Sequence, residues 1–283
     1  MSSLYKIIVA LISGAILAFT YTIIHAENMA AIKFKLGTNI VETAKQSGVP
    51  EFSVRDVNGL ISYDLTEIPQ DIPAVYDIQN NRVSFAPLFA FTMYADRSNK
   101  NDLAVDHVTL QFETASIKDH VAGQQFVARL ISQMQGSNWM RYVSDRCPAV
   151  TGRSSLMDKD GLLKPLPGCA LDPTYQIPAR DWLQVIESGP IFQWRAANVL
   201  ASLEISSREN SGEITYTIFM QFDDFEIKRK HEASNLLRDL SEGDKNGWKS
   251  TEKNNQNRRK RADLIKDLES NALLRGDSIV QRN

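Results

Sequence analysis

Two dipeptides, Asp106-His107 and Asp119-His120, set an imidazole beside a carboxylate, the combination that a general base or a metal ligand requires. Consecutive residues of a strand face opposite ways, so neither dipeptide builds a dyad alone, and ordinary surface placement is the simpler expectation. His107 and His120 are nevertheless the catalytic candidates of the chain. Asp158-Lys159-Asp160-Gly161 has the close carboxylates and glycine turn that open a calcium loop, but the third acidic position and the distal glutamate are missing. That favours a simple turn, and no metal site is expected. Asp223, Asp224 and Glu226 form an acidic run at a strand end, where a cation or basic partner could bind and a solvated strand exit serves equally well.

The patterns GxxxxGK[ST], HExxH, GxSxG and GxGxxG are all absent. No cofactor is expected, and an enzyme would need a dispersed active site. A net charge of −2 gives no general argument for nucleic acid, and no repeat of the solenoid or propeller kind is visible.

Trp139, Tyr142, Phe192, Trp182 and Trp194 flank the stretch Cys147–Cys169, which holds both cysteines of the chain. Core packing is the default fate of such side chains, but if they converge outward they offer a platform for a protein, peptide or glycan. Pairing of Cys147 with Cys169 requires an oxidising compartment and would close a ring of some two dozen residues, worth about 3 kcal/mol in the chain-entropy model. Two separate thiols are the alternative. Pro148, Gly152, Gly161, Pro165, Pro167 and Gly168 argue against regular structure inside the ring and for an exposed, shaped loop.

The elements that must position these groups read as mixed helix and strand. Asn58-Gly59 divides two short β-prone runs within residues 52–65, a strong hairpin signal. Residues 83–95 are apolar and aromatic enough for one buried strand, with Pro87 confining it to an edge or a bend. Val108, Leu110 and Phe112 alternate with His107, Thr109 and Gln111, as in a half-buried strand. Residues 116–135 carry a helical apolar stripe that Ser116 can cap. Residues 193–206 and 213–222 alternate again, with the turn at 209–212. Strands joined by short turns around one dominant helix predict an α+β fold with a largely antiparallel sheet.

Both ends differ from this body. Residues 7–24 contain no charge and no proline, and at 1.5 Å per residue reach about 27 Å, near the thickness of a bilayer core. This predicts a transmembrane anchor or uncleaved signal over 7–26, with Lys6 in a short cytosolic terminus, 1–6. Cleavage after Ala26 is disfavoured by Ile24. Residues 226–283 hold 14 basic against 10 acidic side chains, including the block Arg258, Arg259, Lys260 and Arg261. They read as a partly disordered, partly helical basic tail, with Leu264, Ile265, Leu268 and Leu273 as a narrow stripe. Docking on a partner groove or on anionic lipid is the sharper reading of that block.

The layout predicts a single-pass inner-membrane protein of a bacterium, with residues 27–225 as an exported, periplasm-facing body. Absence of any N-x-[ST] acceptor is compatible with that source. With an anchor and no catalytic motif, protein–protein binding is the expected function. Either an accessory subunit of an envelope or secretion machine or an inhibitor such as a toxin-neutralising protein fits. The alternative is an anchored exported hydrolase or transferase.

Overall fold

The computed structural model describes residues 30–49, 51–77, 81–98 and 102–282. The apolar run 7–24 lies outside them, and among the described residues no helix is long and apolar enough to cross a membrane.

Among the described residues, eleven strands and five α-helices build an α+β fold. The strands are β1 Ile32–Phe34, β2 Ser53–Val57, β3 Leu60–Thr66, β4 Ala74–Tyr76, β5 Val83–Phe85, β6 Leu88–Asp96, β7 His107–Phe112, β8 Met140–Arg141, β9 Ile191–Ala196, β10 Val199–Asn210 and β11 Glu213–Asp224. The helices are α1 Ile40–Gln46, α2 His120–Gln135, α3 Ala179–Glu187, α4 Phe225–Lys245 and α5 Ser250–Leu274. Eight strands form one antiparallel sheet in the order β2-β3-β6-β7-β11-β10-β9-β8. A second sheet, β1-β4-β5, pairs β1 parallel and β5 antiparallel to β4.

Alternation decides which face of the large sheet is dry. Met93 of β6, Val108 and Leu110 of β7, Leu203 of β10, and Ile218, Met220 and Phe222 of β11 point one way and are fully buried. Against them pack the small sheet (Phe34, Tyr76, Phe85), α2 (Phe126, Val127, Leu130, Met134) and α3 (Trp182, Val185, Ile186) in one continuous core. Phe222 is its hub, stacked on Tyr76 at 5.4 Å and meeting Phe34 and Trp139 edge-on. Such pairs add to plain burial because ring edges and faces carry opposite partial charge. The opposite face of the sheet carries Tyr94, His107, Thr109 and Asp223, and it positions the site described below.

Local sequence explains most boundaries. Asn58 and Gly59 take positive φ, 55° and 90°, as a two-residue hairpin turn requires. Ser211 and Gly212 do the same between β10 and β11. Residues 83–95 are not one strand: the chain leaves the small sheet after Phe85, bends at Ala86-Pro87 and enters the large sheet at Leu88. Residues 193–206 contain a further hairpin, with Ala197 at φ 49° in the turn. The main helix starts at His120, because Asp119 accepts the N–H of Ala122 at 2.7 Å; Ser116 is not its cap. Gly123 of that helix lies against the Tyr216 ring, where a β-carbon would stand 2.3 Å from a ring carbon.

The residues after Phe225 depart furthest from expectation. Instead of a partly disordered tail with one short helix, α4 and α5 form a long helical hairpin, and one dominant helix becomes five. The buried stripe of α5 is Ile265, Leu268 and Ala272; Leu273 is exposed. What folds it is the cysteine loop. Cys147 and Cys169 are joined in a disulfide with Cα atoms 5.4 Å apart, and with Val143, Ala149, Leu166 and Val280 they form a second apolar cluster. The loop is therefore covered by the chain's own C-terminal residues, and it contains a short 3-10 helix, Gly152–Leu156. Glu269 accepts the N–H of Ala149 and the guanidinium of Arg282, and Asp277 accepts the N–H of Ser154.

Candidate functional site

His107 and Asp223 sit directly opposite one another on β7 and β11, with Tyr94 of β6 as the next member of the same row. Side chains opposite in an antiparallel pair share a face. His107 Nδ1 is 2.7 Å from Asp223 Oδ1, and His107 Nε2 is 2.9 Å from Thr109 Oγ1 two residues on along β7. With its proton on Nδ1 the imidazole donates to Asp223 and accepts from the Thr109 hydroxyl. The first turn of α4 closes the set: Lys228 Nζ donates to the second oxygen of Asp223 at 2.6 Å. Asp224 fixes that turn by capping α4 through the N–H of Ile227.

Asp223 is a buried carboxylate with two side-chain partners, His107 and Lys228. Burial opposes its ionisation, but the bonds from His107 and Lys228 outweigh it and hold the carboxyl below its usual range. An ionised Asp223 fixes the imidazole's orientation and supports a proton on Nδ1. The row opens on a cleft of about 500 Å³ between the sheet and α4, lined by Leu60, Tyr94, Asp96, His107, Ile227 and His231 among others. Its carboxylates outnumber its one lysine, since Asp106 and Glu232 line it as well.

The other candidates are placed differently. His120 Nδ1 is 2.8 Å from Tyr216 Oη, which also accepts the indole N–H of Trp182 at 3.1 Å. Asp119 is the helix cap, so His120 braces the core edge and has no carboxylate beside it in these bonds. Asp158 spends its carboxylate on the N–H groups of Asp160 and Leu162, as a turn does. Trp139, Trp182 and Trp194 are all buried and form no exposed platform. Tyr142 is half-buried, edge-on to Phe225 at 5.4 Å. Of the basic block, Arg258, Arg259 and Lys260 are exposed on α5, whereas Arg261 is taken up by the disulfide loop. It donates to Arg146 O at 2.9 Å and approaches Cys169 Sγ at 3.0 Å. Among the described residues no group of three or more His, Cys, Asp or Glu side chains is placed to hold a metal ion.

The second feature is one that sequence reasoning missed. Helix α4 buries only Phe225 and Gly243 along 21 residues, a length of about 31 Å. The hairpin turn is tight: a β-carbon on Gly243 would stand 2.0 Å from Ser250 Oγ, and Asp244 accepts from Thr251. Its tip presents Trp248 with 64% of its surface exposed, and α4 presents Leu237 at 69%. The arm is thus anchored at both feet, by Asp223 and Asp224 at the start of α4 and by the disulfide loop at the end of α5, with its middle in solvent.

No family model, curated protein or solved structure matches this chain. The class that fold and site define is a disulfide-bearing α+β domain with a projecting helical arm and a His–Asp row at the arm's foot.

Proposed function

We propose that the protein is a membrane-anchored, periplasm-facing protein of the bacterial envelope that acts by binding another protein through the α4–α5 arm. It would serve as an accessory subunit of an envelope or secretion machine, or as an inhibitor of the toxin-neutralising kind. The observation that carries this reading is the arm itself, two long helices that bury little of their own surface and expose Leu237 and Trp248. Exposed apolar surface that gathers into a patch marks interaction sites, and tryptophan is enriched among the residues that dominate them. The disulfide supports export, since such bonds persist in oxidising compartments. The apolar run 7–24 supports the anchor.

Replacing Leu237 and Trp248 by alanine in the full-length protein tests this. The expected result is loss of the partner from the detergent-solubilised complex, with the circular dichroism of the body unchanged; an unchanged complex would count against the arm. A second reading, an anchored exported hydrolase or transferase, has one specific observation in its favour: His107 stands against Asp223 in an open cleft.

A further inference from the structure

We infer that Thr109, His107 and Asp223 form an acyl-transfer centre, with Thr109 Oγ1 as nucleophile, His107 as general base and Asp223 as the residue that positions the imidazole. The inference rests on the hydrolase reading; it shares the first turn of α4 with the arm through Lys228 but does not depend on Leu237 or Trp248. Its basis is a hydrogen-bond chain in the order that nucleophilic catalysis requires, hydroxyl to Nε2 at 2.9 Å and Nδ1 to carboxylate at 2.7 Å. The carboxylate is held ionised by its second bond to Lys228. The chain follows from strand register: Thr109 and His107 are two apart on β7 and share a face, and β11 brings Asp223 opposite His107.

In the step inferred, Thr109 Oγ1 attacks an ester carbonyl carbon while its proton passes to His107 Nε2. The Oγ–C bond forms, the bond from carbon to the leaving oxygen breaks, and that oxygen takes the proton from Nε2 and departs as alcohol. Water then attacks the threonyl ester and gives a proton to His107 Nε2; the acyl–Oγ bond breaks, the carboxylic acid leaves, and Nε2 returns the proton to Thr109 Oγ1. No oxidant or reductant is consumed. Thr109 is paired with Thr92 on one side and Gln221 on the other, within the ladder. The developing oxyanion therefore falls to side chains of the same sheet face, where Tyr94 stands beside His107 on the next strand.

His107 lines the cleft and Thr109 stands beside it, so the cleft bounds what can approach. Asp96, Asp106 and Glu232 line it with apolar Leu60 and Ile227, so it admits small neutral or cationic acyl esters and repels anionic ones.

The test uses full-length protein in detergent with p-nitrophenyl acetate, its anionic hemisuccinate counterpart, and a fluorophosphonate probe read by peptide mass. The expected result is turnover about a hundredfold above that of Thr109→Val, retained in Thr109→Ser and lost in His107→Ala. The phosphonyl adduct is expected on residue 109, the acetyl ester is preferred, and Asp223→Asn displaces the ascending limb of the pH profile. Turnover that falls in His107→Ala but persists in Thr109→Val would overturn the nucleophile while keeping the cleft a hydrolase. Turnover indifferent to both, in variants whose circular dichroism is native, would overturn the hydrolase reading as well.

Discussion

Arg261 of the C-terminal helix reaches Cys169 Sγ at 3.0 Å and the carbonyl of Arg146 at 2.9 Å, tying a residue of the basic block to the disulfide that precedes it by some ninety residues. The disulfide and the arm are therefore one structural unit. Burial lowers the tendency of Arg261 to hold its proton, and the nearby charge of Arg146 adds to that effect. Ala149, Ser154 and Cys147 of the loop are each bonded to residues within 269–282 as well.

Breaking the disulfide should loosen the arm's foot before the sheet. The Cys147→Ser, Cys169→Ser double variant is expected to lose about 3 kcal/mol in denaturant unfolding. Hydrogen exchange should show amides of 261–282 exchanging faster while β7 and β11 stay protected. Uniform acceleration across the molecule would contradict the assignment of the loop to the arm.

The Asp223 clamp gives a pH dependence of known sign. Its carboxyl ionises below the usual aspartate range in the folded protein, so the stability it confers is complete above about pH 4 and is lost as pH falls through the lower folded value. Asp223→Asn should cost about 2 kcal/mol at neutral pH, a figure already reduced for the part-exposed Lys228, and should flatten the fall in stability below about pH 4. Melting temperatures from pH 2 to 7 in both proteins check this.

Gly123→Ala drives a methyl group into the Tyr216 ring, which is held by His120 and Trp182 and cannot swing freely away. A loss of about 2 kcal/mol is expected from overpacking. Gly136→Ala, where the nearest atom a β-carbon would meet is 3.4 Å away, is the matched control and should be close to neutral in the same melt.

What the sequence made legible was local. The alternation of residues 107–112 and 213–222 and the Asn58-Gly59 turn each depend on neighbours a few positions apart, and the strands stand there. The turn at Ala197 was hidden because alanine is a poor signal for positive φ. The arm was hidden because its sequence is polar and the bonds that seat α5, such as that from the N–H of Ala149 to Glu269, span more than a hundred positions. His107 and Asp223 were each visible as titratable residues, but their bond spans 116 positions and depends on strand order, which no spacing encodes.

The most direct test of the central claim is site-specific photo-crosslinking in intact cells. A photoreactive residue is placed at 237 or 248 on the arm, or at 54 or 121 on exposed parts of the body. The account predicts a discrete protein adduct from 237 and 248 and none from 54 or 121. Adducts from the body positions alone, with the arm silent, would contradict it.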